Sequence, residues 1–286
     1  MDEQMPEEVV VRFEELGALE HEFEEAELEI IRKAEALQSP LYKKRADFVA
    51  NIPHFWSLVF EQAPPEIDNF IQPTDSKVFA ECLETFEVSR FELDEPNGSP
   101  RSFSLKLGFS DNEYFEDKVL EKKFWFRKTK DWQGLVSEPV KINWKKGKDL
   151  TGGLTDAAYK LGELRKKLGA DTASGAARKE EAKSKEYKKL AQLIETATDA
   201  SVSFFGLFSF VSGYRWEIEV FPGGDEVATI IAEDMWPNAI KYYKGTFDED
   251  EDDEELSDLD PVDIRALVGK GRKSGQEPPA KKQRKT

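Results

Sequence analysis

VVVRFEELGALEHEFEEAELEIIRKAEALQSPLYKKRADFVAN, residues 9–51, sets the scale of everything else in the molecule. Apolar residues recur at Val9, Phe13, Leu16, Leu19, Phe23, Ala26, Ile30, Ala34, Leu37 and Leu41, in steps of three and four. That spacing is the seam of a helix that pairs along one narrow stripe. Glu14, Glu15, Glu22, Glu24, Glu25 and Glu29 fill the other faces, while Glu20 and Glu27 crowd the stripe itself. A narrow seam suits those two glutamates better than a wide buried face does. Ser39-Pro40 predicts a kink rather than a stop, because Leu41, Phe48 and Ile52 resume the stripe. At 1.5 Å per residue the helix runs to roughly 60 Å, whereas a globular domain of about 200 residues spans only ~40–45 Å. The helix therefore outruns its own domain. Phe13, Leu16, Phe23, Ile30 and Leu37 are expected to meet a second copy in a homodimer; the alternative is a helix folded back on its own core.

The 286 residues allow one large domain or two small ones, and 58 Asp+Glu against 41 Lys+Arg leave a net charge of −17. Such a balance repels phosphates and membrane surfaces and calls for a cationic partner. The lone Cys82 excludes an internal disulfide and fits a reducing compartment, and with only His21 and His54 a structural zinc has too few ligands. The N-terminus is acidic where a signal peptide is basic, and the apolar run Val202–Val211 is too short for a bilayer. A soluble intracellular protein is expected.

Pro53 is placed to open a helix through about Gln62, and Pro64-Pro65 breaks it. Thr74 is expected to cap a short helix toward Leu83, with Asp75 in its first turn. Four strand signals follow: Leu83–Glu92, Arg101–Phe109, Val119–Lys130 and Leu135–Trp144. Phe103, Leu105, Leu107 and Phe109 alternate with polar residues, as do Val140, Ile142 and Trp144, so an antiparallel meander covered on one face by helices is expected.

From Lys145 to Ala200 the composition turns to Lys, Ala, Gly and Ser, with helical stretches at about Thr155–Leu168 and Ala177–Thr198. This basic part of an acidic chain reads as a solvated insertion, as a dock for an acidic partner, or as a weak DNA contact. The bulky Ser203–Phe210 segment belongs in a core, and Asp225–Trp236 places Val227, Ile230, Ile231 and Met235 on one helical face. Beyond Gly245 the consecutive acids Asp248, Glu249, Asp250, Glu251, Asp252, Asp253, Glu254 and Glu255 read as a disordered tail. Lys281, Lys282, Arg284 and Lys285 form a basic cluster that reads as a nuclear localisation signal. No phosphate-cradling glycine loop, nucleophile elbow or positioned acid–base pair stands out, so neither catalysis nor a cofactor or metal is expected.

Several segments in order carry a resemblance. They are Tyr42-Lys43-Lys44-Arg45 before Ile52-Pro53-x-Phe55-Trp56; Phe103-Ser104-Leu105-x-Leu107 leading to Asn112-Glu113-Tyr114-Phe115-Glu116-Asp117; and Ile142-Asn143-Trp144-Lys145. The Phe-rich segment at Ser203, then Asp225-Glu226 through Asp234-Met235-Trp236-Pro237-Asn238 to Tyr242-Tyr243, complete the set. This order resembles the nucleosome assembly protein (NAP) family of histone chaperones and, within it, the SET-type branch. Val136–Val140 and the insertion look closer to fungal members that associate with a histone acetyltransferase. The resemblance implies an α+β fold: a dimer joined by antiparallel long helices, each end carrying an earmuff domain of four antiparallel strands backed by helices. Residues 1–52 would be the dimerisation helix, 53–245 the earmuff with its insertion at about 150–198, and 246–286 the tail.

It further implies a nuclear protein, with shuttling to the cytoplasm left open, that binds core histones without ATP, or an adaptor presenting histones to an acetyltransferase. Histone contacts would fall on Asp225, Glu226, Ser209, Glu233, Asp234 and the acidic tail. Gly206 stands where the SET branch has a hydroxyl residue, which removes one polar contact. For Asp225 and Glu226, which follow the Gly223-Gly224 turn, the plainer reading is that they only favour a helix N-terminus.

Overall fold

The computed structural model describes residues 7–168, 175–197, 202–211, 220–221 and 223–248. The chain falls into two units, Met1–Thr246 and Phe247–Thr286, and of the second only Phe247 and Asp248, the end of the last helix, are described. The basic cluster and Glu249–Glu255 lie outside the described residues.

Helix α1 (Glu7–Val49) runs 43 residues, with Pro40 inside it. Phe13, Leu16, Phe23, Ile30 and Leu37 keep 58–75% of their surface exposed, so α1 is not folded back to bury its stripe. A second stripe faces the chain's own domain: Glu27, Ile31, Glu35, Gln38 and Tyr42 line a cleft on that side. Arg45 completes it. This guanidinium is buried between the rings of Tyr42, Trp56 and Trp236, at 5.0, 5.5 and 4.1 Å, and donates to Trp236 O at 2.6 Å. Cation–π contact takes the place of the lost hydration, although burial still lowers its pKa to about 10.

Helix α2 (Phe55–Glu61) starts two residues later than Pro53 suggests. Its N-cap is His54, held at φ 60° with its Nδ1 3.0 Å from Ala80 O. The break at Pro64-Pro65 contains a one-turn helix, α3 (Pro65–Asp68). In α4 (Pro73–Cys82) the N-cap is Gln72 and not Thr74, because Pro73 takes the first helical position and Asp75 reaches back to accept from Gln72 N at 3.0 Å.

Strands β1 (Leu83–Ser89), β2 (Phe103–Phe109), β3 (Val119–Lys128) and β4 (Gln133–Ser137) form the expected antiparallel meander in order β1-β2-β3-β4. The fourth strand ends at Ser137, earlier than its alternating pattern suggests. From its last residue onward the chain bonds elsewhere: Ser137 N donates to Val211 O, Val140 N donates to Phe208 O, and Trp144 bridges to Phe115.

One core joins sheet and helices. Phe60, Phe103, Phe115, Phe124, Phe204, Phe205 and Phe208 are all essentially fully buried in it. Two polar side chains pin the 3-10 helix Phe204–Ser209 into place. Asp75 accepts from Ser203 Oγ at 2.7 Å and Phe204 N at 2.8 Å. Lys122, completely buried on β3, donates to the carbonyls of Glu138, Phe208 and Phe210 at 2.7, 3.1 and 2.6 Å. Three protons meet three acceptors, which is how an apolar core tolerates the amine.

The insertion forms three helices: α5 (Leu154–Leu168), α6 (Gly175–Lys183) and α7 (Lys185–Thr196). The second predicted helical stretch breaks at Ser184, whose Oγ accepts from Tyr187 N and caps α7. Helices α5 and α7 share a small core, made by Leu154, Ala157, Ala158, Leu161 and Leu190 together with Val220. Helix α8 (Gly224–Ile230) passes into a π turn (Ile231–Met235), and α9 (Ala239–Asp248) ends the described chain.

Candidate functional site

A cleft of about 940 Å³ opens between the inward stripe of α1, the ends of the strands and α8 with its π turn. Ile31, Phe103, Phe126, Leu135, Ile230 and Trp236 give it an apolar lining. Five carboxylates, Glu27, Glu35, Asp225, Glu226 and Glu233, stand around it against two guanidiniums, Arg90 and Arg101. Both arginines are engaged: Arg101 Nη2 lies 2.8 Å from Glu27, and Arg90 Nη2 lies 3.6 Å from Glu233. The cleft is thus an apolar trough with a negative rim.

Gly223, at φ 71°, makes the left-handed turn that starts α8, and Asp225 and Glu226 follow in its first turn. Both are exposed, while Val227 and Ala228 bury the opposite side of the helix. Neither carboxylate has an ion pair or side-chain hydrogen bond among the described residues. Glu35 also faces the cleft, and burial raises its pKa against the opposing pull of Arg90. Among the other predicted contacts, Glu233 lines the cleft but Asp234 does not. Asp234 accepts from Asn238 Nδ2 at 2.8 Å and from Tyr242 OH at 2.5 Å. Burial first, and this bond second, lift the Tyr242 pKa to about 12.

Ser209 is a correction. It has no exposed surface and lies in the core at the end of the 3-10 helix, so its hydroxyl cannot meet a partner. The Phe-rich segment is turned inward by Lys122, which the sequence does not single out, and by Asp75, which the sequence places only in the first turn of its helix. The sequence also assigns no site role to Glu35 and Arg90, and it quotes Tyr42 only within a family segment, although all three line the cleft. The signal for Glu35 and Tyr42 was present as a repeat of three and four at Ile31, Glu35, Gln38 and Tyr42, lying beside the exposed stripe.

The family model of nucleosome assembly proteins (NAP) matches residues 47–246. A Schizosaccharomyces pombe protein provisionally named for nucleosome assembly is 33% identical over 256 residues, covering 86% of this chain and 84% of its own. Protein SET of Drosophila melanogaster is 28% identical over 234 residues, covering 80% of this chain and 69% of its own. The crystal structure of Ccp1 superposes with a TM-score of 0.59 at 28% identity, covering 87% of this chain and 100% of that one. The crystal structure of Vps75, at 24% identity and a TM-score of 0.58, covers 83% of this chain and 99% of that one and shares the fold. The chain belongs to the NAP family, with its long helix and earmuff-like α+β domain.

Proposed function

We propose that this chain is a histone chaperone whose cleft holds a core-histone surface during nucleosome assembly and disassembly. The observation that carries this reading is the pair Asp225 and Glu226, exposed and without an ion pair among the described residues, on a fixed helix at the lip of an apolar-lined, acid-rimmed cleft. A histone presents apolar contact surface among many cations; the lining answers the first and the rim the second. Charge complementarity and apolar burial drive such binding, so no nucleotide hydrolysis enters it. Asp248–Glu255 and the acids after it supply longer-range attraction that salt weakens. The cluster Lys281–Lys285 directs the chain to the nucleus. The test is titration of core histones against the Asp225→Ala, Glu226→Ala double variant, alongside thermal melting. Binding should weaken by about 1–3 kcal/mol with near-normal melting. Unchanged affinity with a lowered melting temperature would leave these residues only a helix-terminus role.

The exposed stripe of α1 pairs two copies as a dimer in this reading, because eight large apolar residues from Phe13 to Phe48 are too much surface to leave in water. Phe23→Glu with Ile30→Glu should yield monomers by light scattering while circular dichroism keeps the sheet signal. A double variant that stays dimeric would end the argument for the seam.

A further inference from the structure

The five carboxylates of the cleft are not equivalent. Glu27, Asp225, Glu226 and Glu233 are exposed, whereas Glu35 is half-buried. It stands on the inward stripe of α1, where the cleft meets a narrower hollow of about 460 Å³ between α1 and β1. The cleft's two guanidiniums and its tyrosine hydroxyl are engaged elsewhere. Arg90 Nη1 donates to Pro100 O at 2.9 Å, and its Nη2 lies 3.6 Å from Glu233. Arg101 is held by Glu27 at 2.8 Å, and Tyr42 OH donates to Gln38 Oε1 at 3.0 Å. Lys43 and Lys106 line the hollow but stay exposed and form no ion pair with Glu35. Glu35 itself has no hydrogen bond or ion pair among the described residues, and burial pushes its pKa up against the pull of Arg90. A carboxylate drawn out of water without a partner destabilises the fold, and a bound cation would offset that cost.

We propose that Glu35 is the anchor point of the cleft for one arginine side chain of the basic protein partner. The inference rests on the histone-chaperone reading of the same cleft and names the contact that decides which cationic surface fits it. A guanidinium is more weakly hydrated than an ammonium, so it enters a partly apolar cleft at lower cost, and its planar fork matches a carboxylate with two bonds. The cleft already holds guanidiniums in this way. Both cations that line it are arginines, and Arg101 lies over the Phe126 ring at 5.0 Å. The rim acids have a different task. Asp225 and Glu226 stay in water, where salt screens their attraction, whereas a partly buried pair at Glu35 is screened much less. Rim charge sets how fast the partner arrives, and Glu35 sets how long it stays.

Titration of labelled core histones against the full-length chain tests this. Glu35→Gln keeps the shape of the side chain and removes its charge. It should weaken histone binding at least roughly tenfold, through faster dissociation, and by nearly the same factor at about 0.15 M and about 0.5 M salt. Asp225→Ala with Glu226→Ala should instead lose most of its effect at the higher salt. The melting temperature of Glu35→Gln should stay level or rise, because an unpartnered, half-buried charge has been removed. Deiminated core histones, whose arginines are converted to citrulline, should bind wild type and Glu35→Gln equally, while histones acetylated on lysine should keep the difference. The proposal is overturned if Glu35→Gln binds within about twofold of wild type, if its effect fades with salt as that of the rim pair does, or if its melting temperature falls. It is equally overturned if the difference survives deimination or disappears on acetylation. The two readings fail separately. A wild type that binds no histone ends both, whereas a rim variant that weakens binding beside an unaffected Glu35→Gln ends only the arginine anchor.

Discussion

The cleft-bearing core and the α5–α7 hairpin are built on opposite plans. The core packs large aromatic rings against one another and locks them with buried polar side chains, Lys122 and Asp75, whose partners are backbone atoms of the Phe-rich segment. The hairpin packs leucines and alanines; its helix α5 lies against the Phe-rich 3-10 helix and adds contacts to the residues around it. These include Trp144 Nε1 donating to Thr155 Oγ1 at 3.0 Å, the Lys166–Glu138 pair at 2.9 Å, and Gly162 beside Pro139. A Cβ at Gly162 would stand 3.1 Å from Pro139 Cγ, so a larger residue there would press the hairpin away. A trough with an apolar lining works only if its walls hold their shape, because shape complementarity carries such an interface.

That contrast can be broken most directly at Lys122. Lys122→Met removes the buried amine and leaves three carbonyls without their donor, which should cost about 3–5 kcal/mol in urea unfolding, within the range for a broken buried polar network. A cost below about 1 kcal/mol would mean the Phe-rich segment is held by ring packing alone. The pH dependence sharpens the same point. Burial holds the Lys122 amine well below its usual pKa of 10.5, so in the interval between the two values the unfolded chain binds more protons than the folded one. Wild-type stability should therefore rise with pH across that interval, toward 10.5, and Lys122→Met should lose this rise.

Much of the core was legible because its signals are local. The alternation in Phe103–Phe109 and the helical spacing in α1 each follow from a repeat that one element imposes on itself. The fourth strand was placed too late because Val140, Ile142 and Trp144 alternate like a strand while their backbone bonds go to a bridge and the Phe-rich segment. The cleft was legible only on one side. Asp225 and Glu226 follow a glycine turn that can be read in sequence, whereas Glu35 and Tyr42 belong to the second stripe of a helix whose first stripe drew the attention. Lys122 and Asp75 could not be found this way. A buried charge looks like any other polar residue on a strand or in a first helical turn until distant carbonyls or amides close around it.

The smallest expected effect lies at Glu138, which serves both regions. Its backbone carbonyl accepts from Lys122 inside the core, and its carboxylate pairs with Lys166 on the hairpin. The hydrogen bond that Lys166 donates to Glu138 raises the Lys166 pKa, but the two side chains are 54% and 57% exposed, so water and salt screen most of their attraction. Glu138→Gln keeps the carbonyl and removes only the charge. It should lower stability by about 0.2–1 kcal/mol at low salt, and by less as ionic strength rises. Hydrogen exchange is the sharper readout: amides of α5 should lose slight protection while those of β3 stay unchanged. If Glu138→Gln instead costs as much as Lys122→Met, the carboxylate is holding the core, and the hairpin is as firmly part of the domain as the sheet is.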